Sequence, residues 1–253
     1  MSQRPRPANQ AQVAAALAAS AGLGLFFGFG NPAASNPAAS NPAWQPASLL
    51  YAASPGPLDD LIESARISLG GCEPGVAASL FFQGYAARLL SPQLGCLATS
   101  GLVPAVPQGS LRWRQGVTRS IELGLTAGPG WQGPASELAR QVLTSTFDQH
   151  LQPLITATRA RIRIPASVLR DNAVSAFIGA LRLLDHRLPS GWRSLAAAAL
   201  ADPRLRCSGT IRSTEPAFVR RSCCLYYRAA NGSKCGDCPL HGRQMDAGFP
   251  AAS

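Results

Sequence analysis

The spacing of apolar residues along the chain predicts a body built mainly of helices. The clearest amphipathic segment runs from Val168 to Arg187, where apolar residues recur at helical intervals until Pro189 and Gly191. A shorter segment, 58–68, has two aspartates in its first turn, where carboxylates complement the helix dipole. Both segments are predicted to be α-helices.

The same periodicity predicts four more helices, over 13–27, 76–90, 135–149 and 192–200. The helix 76–90 is expected to stop before Pro92, because proline lacks the N–H group that the next turn needs. The helix 135–149 is expected to continue past Pro153 after a break or kink, for the same reason.

Two short segments alternate apolar and polar residues as strands do. Between Leu111 and Thr126 the apolar residues lie at odd positions, most regularly over 121–125. Charged and apolar residues alternate over 159–164, so a short strand is predicted there, ending at Pro165. The predicted fold class is mainly α (α+β), a helical body with a small antiparallel β element and a C-terminal cysteine-rich segment.

Composition divides the 253 residues into three parts. Residues 1–48 contain a mobile polar N-terminus, a helix and a tandem Asn-Pro-Ala-Ala-Ser repeat at 31–35 and 36–40, which is predicted to be a Pro-rich surface loop. Residues 49–205 form the helical body, and residues 206–253 form the cysteine-rich segment.

The formal charge of +10 is almost entirely arginine, because Lys234 is the only lysine. Such a surface attracts acidic ligands, anionic lipid headgroups or an acidic protein partner. The arginines are dispersed, and the chain has no basic tail, helix–turn–helix pattern or aromatic stacking motif. Nucleic acid is therefore not the expected partner.

Cysteine usage favours a reducing compartment. Of the seven cysteines, Cys72, Cys96 and Cys207 are scattered singly, whereas a secreted disulfide framework more often shows an even set in a short chain. These three are predicted to be small core residues. The apolar run that follows Arg4 and Arg6 is rich in alanine and glycine, and no compact apolar part reaches the ~20 residues that a spanning helix needs. It is interpreted as a helix that enters the domain.

The other four cysteines, near the C-terminus, form the most informative pattern. Cys223 and Cys224 are adjacent, and Cys235 and Cys238 follow after ten further residues. Four thiolates in so short a segment select a soft metal centre, such as zinc, copper(I) or an iron–sulfur cluster. The Cys-x-x-Cys pair suits one zinc ion, but adjacent side chains diverge, which favours the more separated attachment points of a 2Fe-2S cluster. Spacing alone leaves both centres open.

The flanking residues resemble the C-terminal signature of the ferric siderophore reductase (FhuF-like) family. The resemblance lies in Arg-Arg-Ser-Cys-Cys-Leu-Tyr-Tyr-Arg at 220–228 and in Cys-Gly-Asp-Cys-Pro-Leu at 235–240. Weaker similarity extends over 79–89, 150–154 and 171–182. The resemblance implies a 2Fe-2S cluster held by the four cysteines at 223, 224, 235 and 238, and a body that binds a ferric siderophore.

The implied activity is that of an oxidoreductase acting on metal ions. One electron passes from the cluster to siderophore-bound Fe(III), and Fe(II), which hard oxygen ligands hold less tightly, is released for iron assimilation. No catalytic group beyond the cluster is required.

The glycines at 22, 24, 28 and 30 do not have the spacing of a dinucleotide loop, so a separate ferredoxin- or flavin-reductase-like protein is expected to supply the electrons. The implied location is the cytoplasm, with peripheral association at the inner face of the membrane as a further expectation.

Cations near the cysteines are candidates for tuning such a cluster. The centre is anionic and gains negative charge on reduction, so nearby cations favour the reduced form. The candidates are Arg220, Arg221, Arg228 and Lys234. Residues that bind the substrate are not identified by the sequence. Candidates for attracting an acidic siderophore are Arg112, Arg114, Arg161 and Arg163.

Two other functions stay open at this point. In one, the four cysteines hold zinc in a non-enzymatic module whose basic surface binds a macromolecule. In the other, the cluster is a redox sensor that needs no substrate site. His241, which follows Cys238 by three residues, is a further candidate ligand.

Overall fold

The structure, a computed structural model, describes residues 4–34, 42–52, 54–116, 120–205 and 207–241. The helices are α1 (Gln10–Ala21), α2 (Pro57–Ser68), α3 (Pro74–Ser100), α4 (Ala135–Thr146), α5 (Gln152–Arg161), α6 (Ala166–Leu183) and α7 (Gly191–Leu200). The strands are β1 (Arg6–Ala8), β2 (Gln45–Pro46), β3 (Leu102–Pro104), β4 (Leu111–Gln115), β5 (Ile121–Leu125), β6 (Gly130–Gln132), β7 (Gly209–Ile211) and β8 (Phe218–Arg220). The fold is mainly helical with small antiparallel sheets, which confirms the predicted class. Most of the Asn-Pro repeat, residues 35–41, lies outside the described residues.

Helix α3 is the centre of the hydrophobic core. It packs against α1, α2, α4 and α6, and every residue from Leu89 to Leu97 is buried. A helix that is apolar on all sides is stable only when other elements cover it on all sides. The rest of the body is therefore arranged around α3.

The prediction that α3 stops before Pro92 is wrong, because the helix continues to Ser100. Pro92 removes one backbone hydrogen bond, but the following turn is buried, so packing outweighs this local loss. The carbonyl of Pro92 accepts a hydrogen bond of 3.0 Å from Ser20 Oγ on α1. The carbonyl of Phe27 lies 2.7 Å from the same hydroxyl, so the two carbonyls share its single proton.

Helix α1 is shifted towards the N-terminus of the predicted range 13–27. It begins early because Asn9 and Gln12 form a reciprocal cap, in which each side-chain oxygen accepts a hydrogen bond from the other residue's backbone N–H. It ends at Ala21, just before a turn in which Gly24 has a φ of 135°. The residues 23–27 that follow form a loop.

The break expected near Pro153 is confirmed as a wider π-helical turn over Phe147–Leu151. The strand predicted over 159–164 is wrong, because α5 continues to Arg161. The Arg161 side chain donates hydrogen bonds to the carbonyl of Ala157 and to Asp59 on α2, which anchors the end of the helix. Helix α6 ends at Leu183, and Asp185–Arg187 form a separate 3-10 turn.

The strand alternation is confirmed in the β4–β5 hairpin, where Leu111 pairs with Leu125 and Trp113 with Leu123. Strand β2 extends this sheet, and β6 lies between β1 and β3 in a second sheet. The stretch before the cysteines contains the β7–β8 hairpin. No helix in the described part of the chain is long and apolar enough to cross a membrane. The division at residues 48 and 205 stays a prediction.

The α1–α3 contact gives a test of the packing. A Cβ at Gly95 would overlap the Ser20 hydroxyl. Gly95→Ala should therefore disrupt the buried hydrogen bonding of the Ser20 hydroxyl and lower the free energy of unfolding by about 1–2 kcal/mol, after its gain in helix propensity. Gly84→Ala on the same helix is the control, since its Cβ would meet nothing within 4 Å. Urea denaturation that gave the two variants equal stability would contradict this packing.

Candidate metal centre

The four C-terminal cysteines lie on two short turns that follow β8. Cys224 and Cys238 are buried, whereas Cys223 and Cys235 are partly exposed. The second turn is closed by a hydrogen bond of 3.1 Å from the Cys238 N–H to the Cys235 carbonyl. Each turn thus contributes one buried sulfur and one nearer the surface.

The sulfur atoms converge from both turns. The Sγ atoms of Cys224 and Cys235 lie 3.6 Å apart. Hydrogen bonds with the Cys223 and Cys235 thiols lower the pKa of Cys224 to about 2, and the same bonds raise the pKa of Cys223 and of Cys235. The site therefore favours a thiolate at its centre, and metal ligation requires the deprotonated form of cysteine.

Backbone N–H groups are directed at the first cysteine pair. Leu225 N–H donates to Cys223 Sγ at 3.3 Å. Leu225 has a φ of 69°, in the left-handed region that a branched residue rarely adopts. Such strain is retained where the surrounding structure determines it. Hydrogen bonds to the sulfurs are among the features that set the potential of an iron–sulfur cluster.

The chemistry of the donor set fits an iron–sulfur cluster. The four candidate ligands are all sulfur, which suits soft metal centres. The Nε2 of His241 donates to the Cys235 carbonyl at 2.7 Å, so the ring is engaged with the backbone. Within the described ranges, no three His, Cys, Asp or Glu side chains already surround a position for a single metal ion.

A buried arginine attaches this cysteine region to the helical body. Arg220, at the end of β8, is 1 % exposed. Its guanidinium donates to Asn172 Oδ1 at 2.6 Å, to Asp237 Oδ1 at 2.9 Å, and to the Ser175 hydroxyl. Asp237 lies between Cys235 and Cys238, so this ion pair connects β8 to the second cysteine turn. A buried charge requires such compensation.

The contacts continue from α6 to α3. The Asn172 amide donates to the carbonyl and the hydroxyl of Ser79, both at 2.9 Å. The Ser79 hydroxyl in turn donates to the Cys224 carbonyl at 2.8 Å. Asp171 accepts a hydrogen bond of 2.8 Å from the Ser222 N–H, and burial raises the pKa of its carboxyl group. Both helices therefore hold the backbone on either side of the first cysteine pair.

Comparison with known families agrees with this geometry. Residues 220–240 match the family model described as the FhuF 2Fe-2S C-terminal domain. The cofactor of this segment is a 2Fe-2S cluster. The match contains all four cysteines together with Arg220 and Asp237. We call residues 220–240 the FhuF-like segment. Comparison with the curated proteins gives no significant match.

Sequence reasoning missed the residues of the body that hold the FhuF-like segment. Ser79, Asp171, Asn172 and Ser175 had no assigned role. A signal was present, because Asp171, Asn172 and Ser175 are polar residues on an otherwise apolar part of α6, and all three are buried. Polar groups at buried positions need partners. The sequence could not show that the partner is Arg220.

The four candidate tuning cations have different surroundings. Arg220 is buried, and its charge is one of the causes that lower the pKa of Cys224, after the thiol hydrogen bonds. Arg221 is exposed. Arg228 forms an ion pair with Glu73 at the start of α3, and Lys234 donates to the Leu240 carbonyl. A tuning role stays a prediction for each of them.

Three of the four arginines that are candidates for attracting an acidic siderophore make contacts within the helical body. Arg114 forms an ion pair with Glu122 at 2.7 Å, and Arg161 pairs with Asp59 at 3.0 Å. Arg112 donates to the Gly109 carbonyl, and Arg163 is exposed. The prediction of core positions is confirmed for Cys96, which is buried.

The other two single cysteines differ from that prediction. Cys207 is exposed, so a core position is wrong for it; it lies in a turn just before β7. Cys72 is partly buried against the core.

Loss of a ligand should remove the cluster and leave the body folded. Cys238→Ser is expected to abolish the visible absorption and to reduce bound iron and sulfide to near zero, while helical circular dichroism is retained, because the Arg220 contacts do not involve the Cys238 side chain. Cys207→Ser, at an exposed cysteine outside the FhuF-like segment, should keep the cluster. Full iron content in the Cys238 variant would exclude it as a ligand.

Removal of the buried cation should be costly. Arg220→Met leaves Asp237 without its partner and is expected to lower the free energy of unfolding by about 3 kcal/mol or more. Its exposed neighbour gives a matched control, Arg221→Met, which should change stability by less than about 0.5 kcal/mol. Equal unfolding midpoints for the two variants would refute the anchoring role.

Proposed function

We propose that this protein is a ferric siderophore reductase, which transfers one electron to siderophore-bound Fe(III) and releases Fe(II) for iron assimilation. The observation that carries the proposal is the match of residues 220–240 to the FhuF 2Fe-2S C-terminal domain. The four ligand positions of that segment lie together on turns that the body holds in place. This combination suits a fixed redox centre that acts on a diffusible substrate.

The exposure of the cysteines supports a reaction at the surface. Cys224 and Cys238 are buried, while Cys223 and Cys235 remain partly accessible. A ferric chelate is too bulky to enter a close-packed protein interior. A centre that is accessible on one side permits the metal of the chelate to approach without any rearrangement of the fold.

The residues around the cysteines suit electron transfer. When bound, a 2Fe-2S cluster supplies electrons one at a time. The guanidinium of Arg220 and the N–H of Leu225 stabilise negative charge at the sulfurs, which favours the reduced state. Because Fe(II) binds weakly to hard oxygen ligands, one electron is enough to loosen the metal. No proton transfer by a side chain is needed.

The proposal includes a separate electron donor of the ferredoxin or flavin reductase kind. Gly22 lies in the turn after α1, and Gly30 donates its N–H to the carbonyl of Leu123 in the β4–β5 sheet. This arrangement differs from a strand–loop–helix dinucleotide site. The net charge of +10 suits an acidic donor. Cytoplasmic location, with peripheral contact at the membrane, is part of the same proposal.

A redox titration tests the proposal. Protein purified without oxygen is expected to be red-brown, with two irons and two sulfides per chain as the 2Fe-2S match requires. After reduction by dithionite and removal of the excess, addition of a ferric siderophore should reoxidise the cluster and yield Fe(II), which ferrozine traps and measures.

The same experiment separates the alternatives. A colourless protein with one zinc ion would favour the zinc module and refute the reductase. A coloured protein whose reduced cluster is reoxidised by oxygen, but by no ferric chelate of any donor class, would favour the redox sensor.

A further inference from the structure

A cleft beside Cys235 has no role in the function described so far. It has a volume of about 430 Å³ and lies between α3, α6 and the loop that follows α1. The second cysteine turn, Cys235 to Asp237, borders it. Of the four cysteine ligands, Cys235 is the one that lines this cleft, so the space begins at the edge of the cluster site and leads away from it.

The two ends of the cleft differ in polarity. Near the cysteine turn the walls carry Ser175, Asp237 and Gln83. The Asp237 carboxylate keeps part of its surface exposed here, so it can accept a hydrogen bond from a ligand. This end suits the polar part of a ligand.

The opposite end is apolar. Phe26 and Leu183 line it and are 49 % and 69 % exposed, which is high for large apolar side chains. The guanidinium of Arg88 lies 5.0 Å from the centre of the Phe26 ring and holds it in position. From Ser175 to Leu183 helix α6 rises about 12 Å. The cleft is therefore long enough for an aliphatic chain of medium length.

The charges in the cleft are already balanced. Asp237 is paired with Arg220. Arg182 is the positively charged residue among the described residues that line the cleft, and it forms an ion pair with Glu215 at 3.3 Å. A charge on the part of a ligand inside the cleft would therefore add no binding free energy, whereas burial of its apolar surface would.

We infer that this cleft binds the organic part of an amphipathic Fe(III) chelate, with the iron-bearing head at Cys235 and an aliphatic arm extending to Phe26 and Leu183. The inference rests on the proposed reductase function and adds the position and chemical character of the substrate. One electron would pass by way of the centre that the cysteines hold to the chelated Fe(III), which would become Fe(II) with no bond formed to the protein. The separate donor, or dithionite in an assay, would supply that electron.

Redox-inert Ga(III) complexes test the binding by itself. Two probes share one donor group and differ in their apolar arm, the Ga(III) complexes of acetohydroxamate and of octanohydroxamate. Calorimetry with the cluster-loaded protein should show at least about tenfold tighter binding of the octanoyl complex, since each buried methylene contributes roughly fourfold. Equal affinities, or no binding of either complex, would overturn the inference.

Two variants test whether the tighter binding of the octanoyl complex arises in the cleft. Gly179 lines it, and a Cβ there meets nothing within 4 Å, so Gly179→Trp is a substitution that directs a large side chain into the space. Phe26→Ser removes the apolar end instead. Both variants should lose the preference for the octanoyl arm. Gly84→Trp, an open helical position on α3 that does not line the cleft, should keep it. Retention of the preference in both cleft variants would refute the site.

Ferric complexes of the same two ligands separate this inference from the proposed function. If the octanoyl Ga(III) complex binds in the cleft but neither ferric complex reoxidises the reduced cluster, the reductase proposal fails and the binding site stands. If both ferric complexes reoxidise the cluster at rates that Gly179→Trp does not change, the reductase stands and the cleft assignment fails. The visible spectrum of the cluster in each variant confirms that the centre itself is intact.

Discussion

The buried guanidinium of Arg220 is the constraint on which the functional end of this protein depends. A fully desolvated cation is tolerated only when hydrogen-bonded acceptors surround it. Asn172 and Ser175 on α6 and Asp237 between the cysteines supply them. Because these acceptors lie on two separate parts of the chain, the hydrogen bonds of one side chain on β8 fix that strand, the second cysteine turn and α6 relative to one another.

The same requirement explains why the long core helix matters for the chemistry. Asn172 also donates to Ser79, and Ser79 donates to the backbone at Cys224, so α3 and α6 together hold both cysteine turns. Those two helices also form the walls of the cleft at Cys235. A centre supported in this way needs little reorganisation when its charge changes, which is what a one-electron reaction with an external substrate requires.

The sequence predicted most helices of the body, and its errors at Pro92 and over 159–164 have one physical cause. Proline in a helix has a local cost, and the outcome depends on burial. At Pro92 the next turn is covered on all sides and the helix continues, whereas ahead of Pro153 the chain widens into a π turn over Phe147–Leu151. The alternation before Pro165 belongs to the end of α5, where Arg161 contacts α2. Local periodicity contains no information about such tertiary contacts.

The candidate ligands could be read from the chain alone, because the identity and spacing of four cysteines are properties of the sequence, and the segment that contains them matches a 2Fe-2S domain. The sequence also contains the polar residues of α6, but it does not show what they bind. That Arg220 is buried while Arg221 is exposed follows from the packing, because the two residues are adjacent and chemically identical. The tertiary structure alone placed Phe26 and Gly179, far apart in sequence, on one cleft beside Cys235. Burial and proximity arise when distant segments pack, and no local pattern specifies them.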